Sequence, residues 1–451
     1  MQKKIRYIYW IVIAFSKKNA RLIILSFLLS IISIISLISL SPFLINNLSN
    51  RKQVVGMVGS YEVNDLPESI LSKISNGLIY IDDKGDIMPA ISNSWEVLND
   101  GKEYRFHIRD NLFWNDGKKF TTADISYGFK DIIVSKIDSH LIVFKLKKPL
   151  PIFPTYLTKP IVKYPLDGVA GLYRVERSKI TSGKINEIYL TPNKKDLPVL
   201  IYKFYDNETK MINAYKLGEI NEMTISKKSV ADIFGKWNNT KVEQSIDYSQ
   251  LMTMFFNMNN QLLKQKDIRQ AIVQAINESR YDRSGQKATS PIPPISWAYN
   301  PNLKIITYNP ELSEKILKKS GEGTQAATLN INTFYDYIDI AEAIRDDLAK
   351  VGVQSKVNIQ SFSQSNQFDI LLAFWKVPVD PDQYYFWHSS QTQGNITGYN
   401  NVKVDLLLER GRDTVVVEDR KKIYFDFQKI MLDDMPAHFL YFPYIYTIKR
   451  K

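Results

Sequence analysis

The chain has 451 residues, 44% of them hydrophobic, no cysteine, and 59 Lys and Arg against 47 Asp and Glu, a formal net charge of +12. The lack of cysteine excludes disulfides, a thiolate nucleophile, a cysteine metal site and a lipid-modified cysteine tether. Single cores stop growing at about 250–300 residues, so two or three domains are expected.

The charge is unevenly spread. Seven basic residues and no acid lie at or before Arg51, leaving 52 bases against 47 acids, or +5, on the remainder. That excess fits a solvated surface and not a nucleic-acid footprint. Residues 1–21 carry Lys3, Lys4, Arg6, Lys17, Lys18 and Arg21, and residues 22–45 carry no charge at all. About 20 apolar residues cross a bilayer, and basic flanks stay inside. A single-pass anchor is therefore expected, with a cytoplasmic N-terminus and an extracytoplasmic ectodomain. The rival, a cleaved signal peptide, has an apolar core of about 7–15 residues ending in small residues. This segment is longer and runs into Ser41-Pro42-Phe43-Leu44. Residues 5–15 are too short to span and suit the inner interface. Residues 46–52 form a connector, and Val54–Gly59 a first strand, with Tyr61 just beyond.

The densest local code runs from Ile91 to Phe129. Asp100-Gly101 is a turn between a strand around Trp95 and the alternating Tyr104, Phe106 and Ile108. Asn115-Asp116-Gly117 makes a second turn. Thr121 and Asp124 form a capping-box variant, predicting a helix that carries Ile125, Phe129 and Ile132. Further on, Ile268, Ala271, Ile272, Ala275 and Ile276 form one helical stripe, with Asp267 as expected N-cap and Gln270 at N3. Asn309-Pro310 opens another helix, with Gly321 past its end. Residues 328–334 then read as a strand, Ile340–Val351 as a helix stopped by Gly352, and 353–359 and Phe368–Trp375 as strands. Strands alternating with helices imply an α/β fold with a mixed sheet.

The block Trp95, Asp100, Gly101, Tyr104, Phe106, Arg109, Trp114, Asp116, Gly117, Phe120, Thr122, Ala123 and Asp124 resembles the family 5 extracellular solute-binding proteins, receptors of ABC importers for peptides, nickel and oligosaccharides. Gly171-Leu172-Tyr173, Leu217–Asn221, Asp267–Ile272, Tyr308-Asn309-Pro310, and Phe368-Asp369 leading to Asp380-Pro381-Asp382 keep the family's order. The resemblance covers residues 53 to 448. It implies a two-lobed, class II periplasmic-binding-protein-like ectodomain with mixed sheets behind the N-terminal transmembrane helix. It also implies lobes of residues 53–254 plus 437–451 and of 255–436, with a ligand cleft between them. The implied partners are a peptide or other small solute and ABC permease subunits, with no nucleic acid and no cofactor. An ectodomain that keeps the fold but serves as a structural or partner-binding component is the alternative.

Catalytic signatures are lacking. His107, His140, His388 and His438 are dispersed without metal-ligand spacing, and no GxxxxGK[ST] or GxSxG occurs. Gly321–Ala326 fits GxGxxA but follows a helix, the reverse of a dinucleotide turn. Asp346-Asp347 and Asp433-Asp434 are expected on solvated faces. No enzymatic activity is expected, and no metal. The binding site is sought in residues 373–390, where Phe374 and Trp375 end a strand and Tyr384–Trp387 supply aromatic surface. In peptide-binding relatives an aspartate before the Asp-Pro pair anchors the ligand's ammonium. Here that position is Val377, and a tryptophan of such relatives is matched by Phe374. Asp380 or Asp382 is a candidate substitute carboxylate, the favoured alternative being that Asp380 caps a turn or helix, and Trp297, Tyr299 and Tyr61 are further candidates for cleft walls.

Overall fold

The computed structural model describes residues 10, 13, 15, 17–48, 52–82, 85–319, 328–360 and 368–451. The interfacial segment 5–15 lies largely outside them, and Gly321–Ala326 entirely so. Residues Ala20–Leu48 form one 29-residue helix. The side chains of Ile23, Leu37, Ile38 and residues 40–48 are not among those described. Among the described residues, no helix is long and apolar enough to cross a membrane.

Twelve strands make the framework. They are β1 (Lys52–Val58), β2 (Tyr173–Thr181), β3 (Lys184–Pro192), β4 (Val199–Tyr205), β5 (Glu222–Ile225), β6 (Thr240–Ile246), β7 (Gln250–Phe256), β8 (Gly285–Lys287), β9 (Leu329–Thr333), β10 (Ser355–Ile359), β11 (Ile370–Lys376) and β12 (Ala437–Arg450). Their hydrogen-bonded order is β2-β3-β4-β1-β5-β12-β7-β11-β9-β10, with β6 and β8 also on β12. β1 runs parallel to β4 and β5, and β9 parallel to β10 and β11. The other pairings are antiparallel, so the sheet is mixed, as strand-helix alternation predicts.

β12 changes partners part way along. Ala437–Tyr441 pair with β7, whereas Tyr444–Arg450 pair with β6. The change falls at Pro443, which has no N–H to donate and whose carbonyl accepts from Asp247 N–H at 2.9 Å. On the β7 side the strand period of two divides two cores. Met252, Met254, Phe256, Ile370 and Leu372 face one, packed under the helices Lys266–Ala275 and Ile338–Lys350. Leu251 and Phe255 face the other, with Trp387, Tyr424 and Phe427. A separate four-stranded antiparallel sheet (92–98, 103–108, 141–146, 132–136) buries Tyr104, Phe106 and Ile108 as the alternation predicts.

Three local expectations need correction. The Thr121–Asp124 capping box forms, but its helix is a single 3-10 turn over Thr122–Asp124. Gly128 and the β-branched run Ile132-Ile133-Val134 take over, and 132–136 becomes an edge strand. The helix Lys266–Ala275 is entered from Gln265, leaving Asp267 inside its first turn, where a carboxylate favours the helix dipole. Asp347 is not solvated: it is fully buried, with Arg280 at 3.1 Å, Lys350 at 2.7 Å and Asn277 N–H at 3.0 Å. Asp434 is half-buried and accepts from Tyr399 Oη at 2.6 Å and Asn401 Nδ2 at 2.7 Å.

Beside the β7–β12 pairing, His438 Nε2 lies 2.7 Å from Glu278 Oε1, with Lys287 on the other carboxylate oxygen. Burial pushes the Glu278 carboxyl up, but the imidazole and the ammonium outweigh it and the net pKa is lowered. A depressed carboxyl stabilises above its unfolded pKa, and that stability is lost as pH falls through the folded value. Stability should therefore decline as pH falls below the ordinary value of 4.5. Glu278→Gln should flatten that acid limb in pH-dependent denaturant unfolding, and an unchanged limb would remove Glu278 as its source.

Candidate functional site

The segment leaving β11 is held by its own carboxylates and two arginines. Val377, 4% exposed, still donates its N–H to Ser249 C=O at 2.8 Å, extending the β7–β11 ladder by one residue. Pro378 and Pro381 fix φ on either side of Val379 and Asp380. Asp380 Oδ1 caps the following turn by accepting Asp382 N–H at 2.9 Å, and Asp382 Oδ1 accepts Tyr384 N–H at 3.1 Å. Each carboxylate also takes an arginine in a fork: Arg420 Nη2 and Nη1 on Asp380 at 2.8 and 3.2 Å, Arg412 Nη2 and Nε on Asp382 at 2.8 and 2.9 Å. Burial pulls the Arg420 pKa down, yet Asp380 and Tyr424 raise it overall; Arg412 is raised likewise by Asp382. Arg412 stacks on the Tyr384 ring at 3.9 Å, and Arg420 lies 5.2 Å from that of Trp297.

Two cavities adjoin this segment. One, of about 450 Å³, has Val377, Pro378 and Val379 on one wall, and Pro293, Ile295 and Ser296 of the proline-rich loop on another. Tyr248 and Ser249, in the turn between β6 and β7, and Asp82 and Gly85 from the 79–89 hairpin complete it. The second, about 740 Å³, lies between the four-stranded sheet, through Asp131, Ile132 and residues 146–150, and Tyr384, Glu409, Arg412 and Asp413. Tyr156, from the chain just beyond that sheet, has its hydroxyl pKa raised by desolvation and by Asp382, against Arg412.

The predicted site residues do not converge on one place. Val377 lines the smaller cavity. Trp297 stands near it: a Cβ on Gly85 would come within 3.1 Å of Trp297 Cδ1, so this glycine permits the close approach of the indole. Tyr299 hydrogen-bonds Thr289 Oγ1 at 3.1 Å on the same loop. Phe374 and Trp375, adjacent on β11, point to opposite faces. Phe374 stacks edge-on to Tyr337 and Tyr441, with centroids at 5.2 and 6.0 Å. Trp375 packs on Phe386 at 4.6 Å and on Trp387, which is 1% exposed and therefore core, not surface. Asp380 and Asp382 serve Arg420 and Arg412. Tyr61 lies in a different core, edge-on to Phe204 at 5.2 Å, with its hydroxyl on Val58 C=O. Sequence reasoning missed Tyr248, Ser249, Asp82 and Gly85. Asp247-Tyr248-Ser249 is a turn signal, but nothing local tells that it abuts Val377. Among the described residues no group of His, Cys, Asp and Glu is arranged to hold a metal.

A mixed α/β sheet with one strand shared between two sets of partners lies beside cavities flanked by segments distant in sequence. The architecture is the periplasmic-binding-protein fold. The structure of NikZ from Campylobacter jejuni in complex with Ni(L-His) is similar with a TM-score of 0.73 at 22% identity, over 89% of this chain and 94% of that one. AppA from Bacillus subtilis in complex with a nonapeptide is similar with a TM-score of 0.70 at 20% identity, over 89% and 94%. In sequence the chain is 24% identical to the oligopeptide-binding protein AppA of Bacillus subtilis, over 86% of each. The family model for the bacterial extracellular solute-binding proteins, family 5, matches residues 86–396, more than half of the chain. The chain belongs to that family.

Proposed function

We propose that this protein is a membrane-anchored extracytoplasmic receptor that captures a peptide-like or other small solute between two lobes and delivers it to the permease of an ABC importer. The observation that carries this reading is the smaller cavity, whose walls come from the β6–β7 turn, the segment after β11, the proline-rich loop and the 79–89 hairpin. Ligand sites favour such concave boundaries between units. On this reading the lobes are residues 53–254 plus 437–451 and 255–436. Closure turns about the crossings near residues 254–259 and 435–442, and Val377 and Trp297 face the solute. The relatives named for oligopeptide binding support the substrate class.

The anchor on this reading is residues 22–45, which lie within the helix Ala20–Leu48, carry no charge and are preceded only by basic charges. Cysteine is absent from the chain, so single-cysteine variants report topology cleanly. In intact cells Ser60→Cys should react with a membrane-impermeant maleimide and Asn19→Cys should not. A mature N-terminus found near residues 42–52 would overturn the anchor. For the receptor itself, native mass spectrometry of full-length protein purified without denaturation should find a retained small solute. A ligand at a hundredfold excess over its Kd should stabilise the fold by about 2.7 kcal/mol. No retained solute, and no thermal shift from peptides, sugars or metals, would favour the structural alternative.

A further inference from the structure

The half of the sheet that holds β1 has two ends of opposite charge. β1, β4, β5 and β6 all start at one end: Lys52 is paired with Val199, and β12 brings Lys449 to Glu222 and Arg450 to Thr240. Hydrogen bonds tie this end together, Asn221 Nδ2 donating to Lys52 C=O, Arg450 N–H to Asn221 C=O and Lys451 N–H to Asn239 C=O, each at 2.9 Å. The stretches that enter β4, β5 and β6, residues 193–198, 216–221 and 235–239, carry Lys194, Lys195, Lys216 and Lys236. Lys52, Arg450 and Lys451 join them, against Asp196 and Glu219, and the excess of five equals that of the whole chain beyond Arg51. In the rungs behind, Glu222 is paired across the strands with Lys449, and Glu243 holds Lys241 and Lys449 at 2.7 and 3.1 Å. The stretches that leave β1, β4 and β5 at the other end, residues 59–68, 206–208 and 226–228, hold Glu62, Asp65, Glu68, Asp206 and Glu208 against Lys227 and Lys228.

The basic end is also the end nearest the anchor. Six residues, 46–51, join the expected span to Lys52. Even fully extended they reach only about 20 Å, and headgroups fill about 5–8 Å of that. Lysines this close to an anionic surface are drawn onto it, within a Debye length of about 8–10 Å. Lys52, Lys194, Lys195, Lys216, Lys236 and Lys451 are exposed, and Leu217, beside Lys216, is 76% exposed. The acids at the far end stand beyond the length of β1, about 20 Å further out. We infer that the basic end of this sheet docks on the bilayer that holds the anchor, its lysines on anionic lipid headgroups and Leu217 among them, so that the receptor stands on its membrane instead of swinging on its connector. This docking rests on the reading of residues 22–45 as an anchor and adds the lipid surface on which the ectodomain stands.

The test reconstitutes the full-length chain into vesicles of phosphatidylcholine and into vesicles containing about 30% phosphatidylglycerol, both with a headgroup-spin-labelled phosphatidylcholine as quencher. Asn238→Cys, in the stretch before β6, and Asn64→Cys, beyond the far end of β1, each give the cysteine-free chain one exposed site for a bimane label. In the anionic vesicles the label at 238 should be quenched and the label at 64 should not. Pure phosphatidylcholine, or about 1 M salt, where the Debye length is about 3 Å, should each remove most of that quenching. One basic residue near an anionic surface is worth about fivefold in population, so Lys194→Gln, Lys195→Gln, Lys216→Gln and Lys236→Gln together should lower the docked-to-free ratio by at least about tenfold. The lipid and salt comparisons on the unsubstituted lysines decide the matter if that variant misfolds. Equal quenching at 238 in both lipids, or none in the anionic one, overturns the docking and leaves the anchor standing. A chain that does not float with phosphatidylcholine vesicles overturns the anchor instead; lysine-dependent flotation with the anionic vesicles then upholds the docking surface, and failure to float with them overturns both.

Discussion

Arg420→Ala should cost the protein about 3–5 kcal/mol, the range for removing one partner of a buried ion pair. The Arg420 side chain is 8% exposed and Asp380 14%, so the truncation leaves a carboxylate shielded from water with no counter-charge. The loss extends beyond the pair. Arg420 Nε also holds Gly411 C=O at 2.9 Å, at a glycine whose Cβ would press on Tyr424 Oη at 2.9 Å. It thus ties the helix Val417–Asp434 to the end of Val402–Asp413 and to the Asp380 turn. Denaturant unfolding followed by tryptophan fluorescence reads the effect. Asp380→Asn combined with Arg420→Met should recover a good part of it, because the deserted charge is gone. A double variant as unstable as Arg420→Ala would show that the packing of the guanidinium, and not the ion pair, matters.

Arg269→Ala should be of comparable size for a different reason. This arginine, 3% exposed, has no carboxylate fork; its guanidinium donates to backbone carbonyls. Nε reaches Met435 O at 2.9 Å, Nη1 reaches Leu263 O and Lys264 O at 2.7 and 2.9 Å, and Nη2 reaches Asp434 O. Burial lowers its pKa, against Asp434 and Tyr399. The Asp434 and Met435 carbonyls end the helix Val417–Asp434, where Met435 turns left-handed at φ 51° just ahead of β12, and those of Leu263 and Lys264 precede the arginine's own helix, Lys266–Ala275. Hydrogen bonds from a charged donor contribute about 1.5–3 kcal/mol each but are not additive, so a total near 3–5 kcal/mol is expected. Arg269→Lys keeps the charge and loses the planar fork, and should restore less than half. Full rescue by lysine in thermal unfolding would mean that charge alone suffices.

The family and much of the fold were readable because they are written locally. Asp100-Gly101, the Ile268–Ile276 stripe and Gly352 each act within a few residues, and each lies where its chemistry demands. The helix expected after Thr121 failed because a capping box specifies a start and not a length. The strand that replaced it is set by a partner at 141–146. The site was less legible. Asp380 and Asp382 announce themselves as carboxylates beside prolines, but the arginines that occupy them are 30 and 40 residues away in sequence. Alternation on β11 already implied that Phe374 and Trp375 cannot share a wall. Asp347 looked like half of a solvated pair because its cover, Arg280, comes from another element. Burial of charge is a tertiary fact, decided by residues that no local spacing reveals.

β12 has a bearing on biogenesis. Its residues 437–441 are an inner strand beside β7, and its residues 444–450 lie between β5 and β6. The first position stays vacant until residue 441 has been synthesised and the second until residue 450, so neither set of strands can close before β12 emerges. The gap between β7 and its partner spans some 180 residues of intervening chain, a long-range pairing of the kind that folds slowly. A polypeptide built this way can complete neither set of strands before β12 has been made.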